Sequence, residues 1–298
     1  MTTQTLVRDL YPSRLRDRAE MLERREPVVR GTAEDGPLTQ EQLDAFDRDG
    51  MLQLPGVFSP GEVEGMFAEL RRMTDDDDVR GHDATIIEPE SEQVRSIFDV
   101  PSFSDHIGDV IRDDRVAGAA RQILASEVYL HQTRINYKPG FGGSGFDWHS
   151  DFETWHTEDG MPGMRCLSAS ILLTDNHSQN GPLMLMPGSQ QTFITCVGET
   201  PDDNYRSSLQ KQVVGIPDRT MIELLYKRHG IHTATGAAGS LLLFDCNTIH
   251  GSNGNITPDP RSNVFAVFNS VENALVEPFA APGRRPEHIA SRDFTPLR

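Results

Sequence analysis

Six short apolar stretches between residues 128 and 270 constrain this chain most: VYLHQTRINYK at 128–138, FDWHSDF at 146–152, RCLSASILLT at 165–174, PLMLM at 182–186, GSLLLFD at 239–245 and SNVFAVFNS at 262–270. Each is bounded by Gly, Pro, Asn or Asp and is too short to make a buried helix, so the set reads as the strands of a barrel or sandwich. Upstream, Thr39-x-x-Gln42 and Ser59-Pro60-x-Glu62 match the capping box, which predicts helices starting near residues 40 and 60. MLQLPGVF at 51–58 reads as a strand and turn between them, and a further short helix fits 217–228. The fold class is therefore mainly β with flanking α-helices.

Residues 1–37 are charged and read as an N-terminal arm or solvated helix, leaving 38–298 as a single domain. TDDDD at 74–78 reads as a solvated loop after a helix. The polar stretch 195–211 inside a strand-rich domain reads either as a lid over a site or as a plain surface loop.

Charge excludes some partners. A formal net charge of -17 opposes nucleic acid and anionic lipid, whose phosphates require clustered Lys and Arg. No apolar run approaches the roughly 20 residues of a membrane span, and the N-terminus lacks the apolar core of a secretory signal. Cys166, Cys196 and Cys246 are widely spaced and odd in number, which fits small buried residues rather than a disulfide framework. The expectation is a cytoplasmic protein whose partners are small molecules or a second copy of itself.

Chemistry concentrates in FDWHSDFETWHTEDGMPG at 146–163, which holds both tryptophans of the chain. His149 and Asp151 lie two apart, and on a strand such residues share a face, so both could reach one metal ion. Alone, His-x-Asp is a weak signal in a chain with ten histidines. His250, just beyond the apolar run GSLLLFD, is the best-placed third ligand. Two imidazoles and one carboxylate form the facial triad of non-haem Fe(II) oxygenases, with coordination positions left open for co-substrates.

Arg261 opens the strand that follows, and period two puts Arg261, Asn263 and Phe265 on one face. A 2-oxoacid chelating iron through its oxo and carboxylate oxygens projects a second carboxylate, which a buried guanidinium can hold bidentately, with the Ser252 hydroxyl in support. On 128–138 one face carries Gln132, Arg134, Asn136 and Lys138, too polar for a filled structural barrel and suited to a charged small molecule. Cys166, Ser168 and Ser170 align similarly on their strand.

His-x-Asp, the distal His-Gly-Ser, the following Arg and NGPLMLMPGSQ at 180–190 together resemble the phytanoyl-CoA dioxygenase superfamily of Fe(II)- and 2-oxoglutarate-dependent oxygenases. FDWHSDFETWHTEDGMPG is similar to the signature of its ectoine-hydroxylating branch, and the resemblance spans about Leu38 to Phe268 with no departure at a triad position. The resemblance implies a double-stranded β-helix (jelly roll), a homodimer, and conversion of L-ectoine, 2-oxoglutarate and O2 to 5-hydroxyectoine, succinate and CO2. It implies iron on His149, Asp151 and His250. It implies 2-oxoglutarate on Arg261, Ser252, Phe146, Asn136 and Ser168, and ectoine on Gln132, Trp155, Asn263 and Phe265.

A related oxygenase acting on another small amino acid or amine would share the triad and Arg261. A cupin-like binding protein would keep the barrel but has no use for Arg261 behind an open metal site. A halogenase is disfavoured because Asp151 occupies the position that chloride would take. His156, Glu153, Glu158 and Asp159 stay open between a supporting role at the metal and solvated loop charge, while His131, His177, His229 and His232 read as structural.

Overall fold

The computed structural model describes residues 8–88, 92–208 and 214–298. All six stretches form strands: Val128–Lys138, Phe146–His149, Cys166–Leu172, Leu183–Leu185, Leu241–Asp245 and Arg261–Ser270. Two antiparallel sheets result. The larger has seven strands in the order Met51–Leu54, Leu241–Asp245, Cys166–Leu172, Arg261–Ser270, Val128–Lys138, Val94–Phe98 and Thr85–Ile87. The smaller has four, His232–Thr233, Leu183–Leu185, His250–Ser252 and Phe146–His149. The two sheets form the jelly roll.

Alternation decides which side of the large sheet is covered. Leu167, Ala169, Ile171, Leu241, Leu243, Val264 and Ala266 point outward and share one apolar core with Phe46, Met66, Leu70, Ile107 and Ile111 from the helical layer. Each such large side chain contributes roughly 1.5–3 kcal/mol on burial. Residues of the opposite parity face the lumen, where Leu242, Phe244 and Phe265 meet Leu183 and Leu185 of the small sheet.

Both capping boxes are present, Thr39 with Gln42 on helix Gln40–Asp49 and Ser59 with Glu62 on Pro60–Asp75. The expected helix near 217–228 is Arg219–His229. Helices Asp105–Arg112 and Ala119–Leu124, and the strand Val94–Phe98, occupy sequence in which the apolar pattern singles out no element. The block at 74–78 is not a plain loop: Asp76 caps a second short helix, Asp77–Arg80, accepting from the amides of Asp78 and Val79.

The N-terminal arm differs most from expectation. Among its described residues it forms no helix; Met21–Glu23 pairs with Thr192–Ile194, and Tyr11, Ser13, Arg14 and Arg24 are buried. Its buried charges form internal ion pairs rather than a solvated face. Arg24 meets Asp245 at 2.7 Å, and Arg14 meets both Glu153 and Glu158 at 2.7 Å. Of the polar stretch 195–211, residues 209–211 lie outside the described residues; Asn204–Ser208 is a short helix.

Candidate iron centre

His149 and His250 are register partners on adjacent antiparallel strands of the small sheet. Asp151 reaches them differently from the expectation. The strand ends at His149, and Asp151 is the first residue of a helix, Asp151–Thr154. Ser150 makes the turn: its hydroxyl donates to Asn247 Oδ1 at 2.9 Å, while the Phe152 amide donates to the Cys246 carbonyl. The pairing that would continue the strand is thereby replaced, and Asp151 swings back over the two imidazoles.

His149 Nε2 lies 3.6 Å from Asp151 Oδ1 and His250 Nε2 lies 3.7 Å from Oδ2. Ligand atoms of all three residues fall within 4.8 Å of one another. Each Nδ1 faces a backbone carbonyl, that of Asp147 at 2.7 Å and that of Thr248 at 2.9 Å. A hydrogen on Nδ1 satisfies those carbonyls and leaves both Nε2 lone pairs aimed at the shared space, the arrangement that orients metal-ligating histidines. Burial pushes His250 down to about 4, helped by His149, so it is a neutral ligand at neutral pH. Burial alone would raise the Asp151 carboxyl, but His250, His149 and Arg134 outweigh it and hold it below the usual carboxylate range. Two imidazole nitrogens and a carboxylate suit Fe(II).

The triad opens into a cavity of about 880 Å³, counting its solvent-open mouth. Arg261, Ser252, Phe146 and Asn136 border it on one side. Arg261 is buried, its Nε has no partner among the described residues, and burial beside Arg134 pulls it down to about 10. A buried guanidinium without a carboxylate is costly unless an anion enters. Asn136 accepts from Ser96 at 2.8 Å, and Lys138, buried behind this wall, donates to Ser252 at 2.9 Å. Ser168 lies on the lumen side of its strand, opposite Val267 and Phe244, but is not part of the cavity wall.

Gln132, Trp155 and Phe265 line the rest of the cavity. Gln132 donates to the Ile289 carbonyl at 2.7 Å, and Trp155 packs edge-on against His131. Asn263 shares their face without bordering the cavity; it donates to Ser170 at 2.9 Å. Trp155 belongs to a π-helical turn, Trp155–Asp159, closed by Gly160 at φ 79. A Cβ on Gly160 would stand 2.3 Å from the Val276 carbonyl oxygen, so only glycine ends the turn there.

The wall also includes Arg134, Thr154, Glu158 and Arg285, none of which the sequence pattern assigns to iron, 2-oxoglutarate or ectoine. Arg134 is legible as part of a polar face and lies over the Phe265 ring at 4.9 Å. Arg285 comes from the C-terminal segment and pairs through two nitrogens with Asp159, a link no local spacing signals. The acids left open are thereby resolved: Glu153 and Glu158 pair with Arg14, and Asp159 with Arg285. His156 contacts Asp9 and the Met161 carbonyl, away from the metal site.

A jelly roll with a His-Asp-His cluster facing an open, arginine-lined cavity defines a non-haem iron oxygenase. The chain belongs to the phytanoyl-CoA dioxygenase (PhyH) family, whose profile matches residues 46–263. It is 54% identical to the ectoine dioxygenase of Streptomyces avermitilis over 99% of this chain and 100% of that one. It is likewise 54% identical to the ectoine dioxygenase of Halomonas elongata over 95% of this chain and 86% of that one. The crystal structure of EctD from S. alaskensis with 2-oxoglutarate and 5-hydroxyectoine matches with a TM-score of 0.87 and 46% identity, covering 96% of this chain and 95% of that one. The carbocyclase SnoK, at 17% identity and a TM-score of 0.66, shares the fold alone.

Proposed function

We propose that this protein is an ectoine 5-hydroxylase, converting L-ectoine, 2-oxoglutarate and O2 to 5-hydroxyectoine, succinate and CO2 in the making of a compatible solute for osmotic and heat stress. The observation that carries this reading is full-length likeness to ectoine dioxygenases at 54% identity in a chain whose His149, Asp151 and His250 converge. The donor set fits Fe(II), which these three residues would hold. Iron with 2-oxoglutarate and O2 supplies the oxidising power needed to break an unactivated C–H bond.

The residues of the chain do the rest. Arg261, whose Nε is unpartnered among the described residues, would take the distal carboxylate of 2-oxoglutarate, with Ser252, Asn136 and Phe146 around it. Ser168 faces the lumen opposite Val267, level with Gln132 and six positions along the strand from Arg261, so it takes no part at that carboxylate. Gln132, Trp155 and Phe265 would position ectoine and exclude water, and Asn263 would brace them from behind. Holding one ring hydrogen toward the metal while the cavity is closed to water is what fixes the position of hydroxylation.

A homodimer is supported by Phe141 and Ile256, exposed by 77% and 86% on loops joined by a hydrogen bond from the Phe141 amide to the Thr257 carbonyl. Such apolar side chains are the kind that association covers. A cytoplasmic setting agrees with three buried free cysteines and with the need to keep iron ferrous. Incubation with Fe(II), 2-oxoglutarate and a panel of small amines and amino acids tests the substrate. Succinate formation that depends on ectoine supports the reading, and dependence on another amine instead replaces it.

A further inference from the structure

The cavity wall carries charges of both signs. Three arginines, Arg134, Arg261 and Arg285, face it, whereas its acids are Asp151, a metal ligand, and Glu158. Glu158 is 2% exposed, so its charge is buried and must be matched. Around it two buried guanidiniums, Arg14 and Arg285, meet three buried carboxylates, Glu153, Glu158 and Asp159.

The pairing is uneven. Both oxygens of Glu153 are taken by Arg14, with Ser13 adding a bond at 2.6 Å. Both oxygens of Asp159 are taken by Arg285. Glu158 has one oxygen engaged, Oε1, which accepts from Arg14 at 2.7 Å and from Asn204 at 2.8 Å. Its Oε2 has no hydrogen-bond donor among the described residues, yet the side chain lines the cavity beside Trp155. A buried carboxylate on the wall of the substrate cavity, fixed through one oxygen and with the other free of a described donor, is a receptor for a cation with an N–H.

We propose that Glu158 is the residue that selects the cationic end of the substrate, its Oε2 accepting from a ring N–H of the protonated cyclic amidine, with Arg14 and Asn204 holding it in place. This rests on the substrate being ectoine. The buried N-terminal arm thereby serves the site, with Arg14 a positioning residue that acts through Glu158. A π-helical turn at 155–159 sets Trp155 and Glu158 on the same wall, so the flat ring is met by an apolar face and by an anion.

Glu158→Gln tests the assignment, because the amide oxygen can still accept from Arg14 while the Oε2 position becomes an NH2. Glu153→Gln is the control: it removes a carboxylate from the same Arg14 but does not border the cavity. The KM for ectoine should rise about 10- to 100-fold in the first variant, the loss of one charge-assisted hydrogen bond. The 2-oxoglutarate requirement of ectoine-independent turnover should stay within about twofold in both variants. The Glu153 variant should melt earlier with its ectoine KM unchanged. An unchanged ectoine KM in Glu158→Gln, or an equal rise in both variants, overturns the proposal. Should Glu158→Gln not fold, inhibition of the unmodified enzyme by the neutral lactam of the same ring size decides: binding as tight as ectoine overturns it, and binding about tenfold weaker supports it. Failure of the unmodified enzyme to turn over ectoine rejects the proposed function instead.

Discussion

His149 and His250 stand opposite one another on neighbouring antiparallel strands, with ring centroids 4.3 Å apart. Register alone brings the two imidazoles together, and Asp151 completes the set from the first turn of the following helix. Replacing either histidine or Asp151 by Ala should lower retained iron and activity by about 100-fold or more, since even supporting partners of metal ligands are worth about 10- to 100-fold. Iron content after reconstitution, measured beside turnover, is the check. Full iron occupancy in His250→Ala would remove that residue from the metal site.

Arg261 carries a charge that no described residue pairs. Arg261→Ala should raise the 2-oxoglutarate KM by about 10- to 100-fold, the worth of a charge-assisted hydrogen bond. Arg261→Lys should recover only part of the loss, because an ammonium lacks the bidentate fork. An unchanged 2-oxoglutarate requirement in Arg261→Ala would refute the role.

Lys138 gives a pH signature. Burial, with Arg261 and Arg95 nearby, pushes it from 10.5 down to about 6. Between those values the unfolded chain holds the proton and the folded chain does not, so this group makes stability rise with pH across that window. Below about 6 the cost of the buried charge is fully present. Denaturant melts of the ligand-free protein between about pH 6 and 8.5 should slope upward, and Lys138→Met should flatten that slope. Equal slopes in the two proteins would contradict the assignment.

Arg14 predicts that the arm is structural. Arg14→Ala leaves Glu153 and Glu158 buried without their guanidinium, which typically costs about 3–5 kcal/mol. A thermal melt of the variant should show a large loss. A shift of less than about 0.5 kcal/mol, ordinary for an exposed position, would mean that the arm is solvated after all.

Period-two alternation is enough to read the strands and their lumen-facing sides. It places Gln132, Arg134 and Asn136 on one face and Arg261, Asn263 and Phe265 on another, and the register joins those two faces directly, Asn136 to Asn263 and Arg134 to Phe265. It fails where the backbone leaves the sheet: Asp151 sits in a helix because Ser150 and Phe152 bond to 246–247, some 96 residues away in sequence. It fails again for the arm, whose arginines read as solvated because their partners, Asp245, Glu153 and Glu158, are more than 130 positions distant. Arg285 is invisible for the same reason, pairing across 126 residues. Local pattern reports which face a residue takes; it does not report which distant charge it meets.

Product analysis of the iron-loaded enzyme given ectoine, 2-oxoglutarate and O2 tests the central claim most directly. The predicted result is 5-hydroxyectoine formed in equal amount to succinate, with both lost when iron is chelated. Succinate released equally with and without ectoine, and no hydroxylated ectoine, would contradict it.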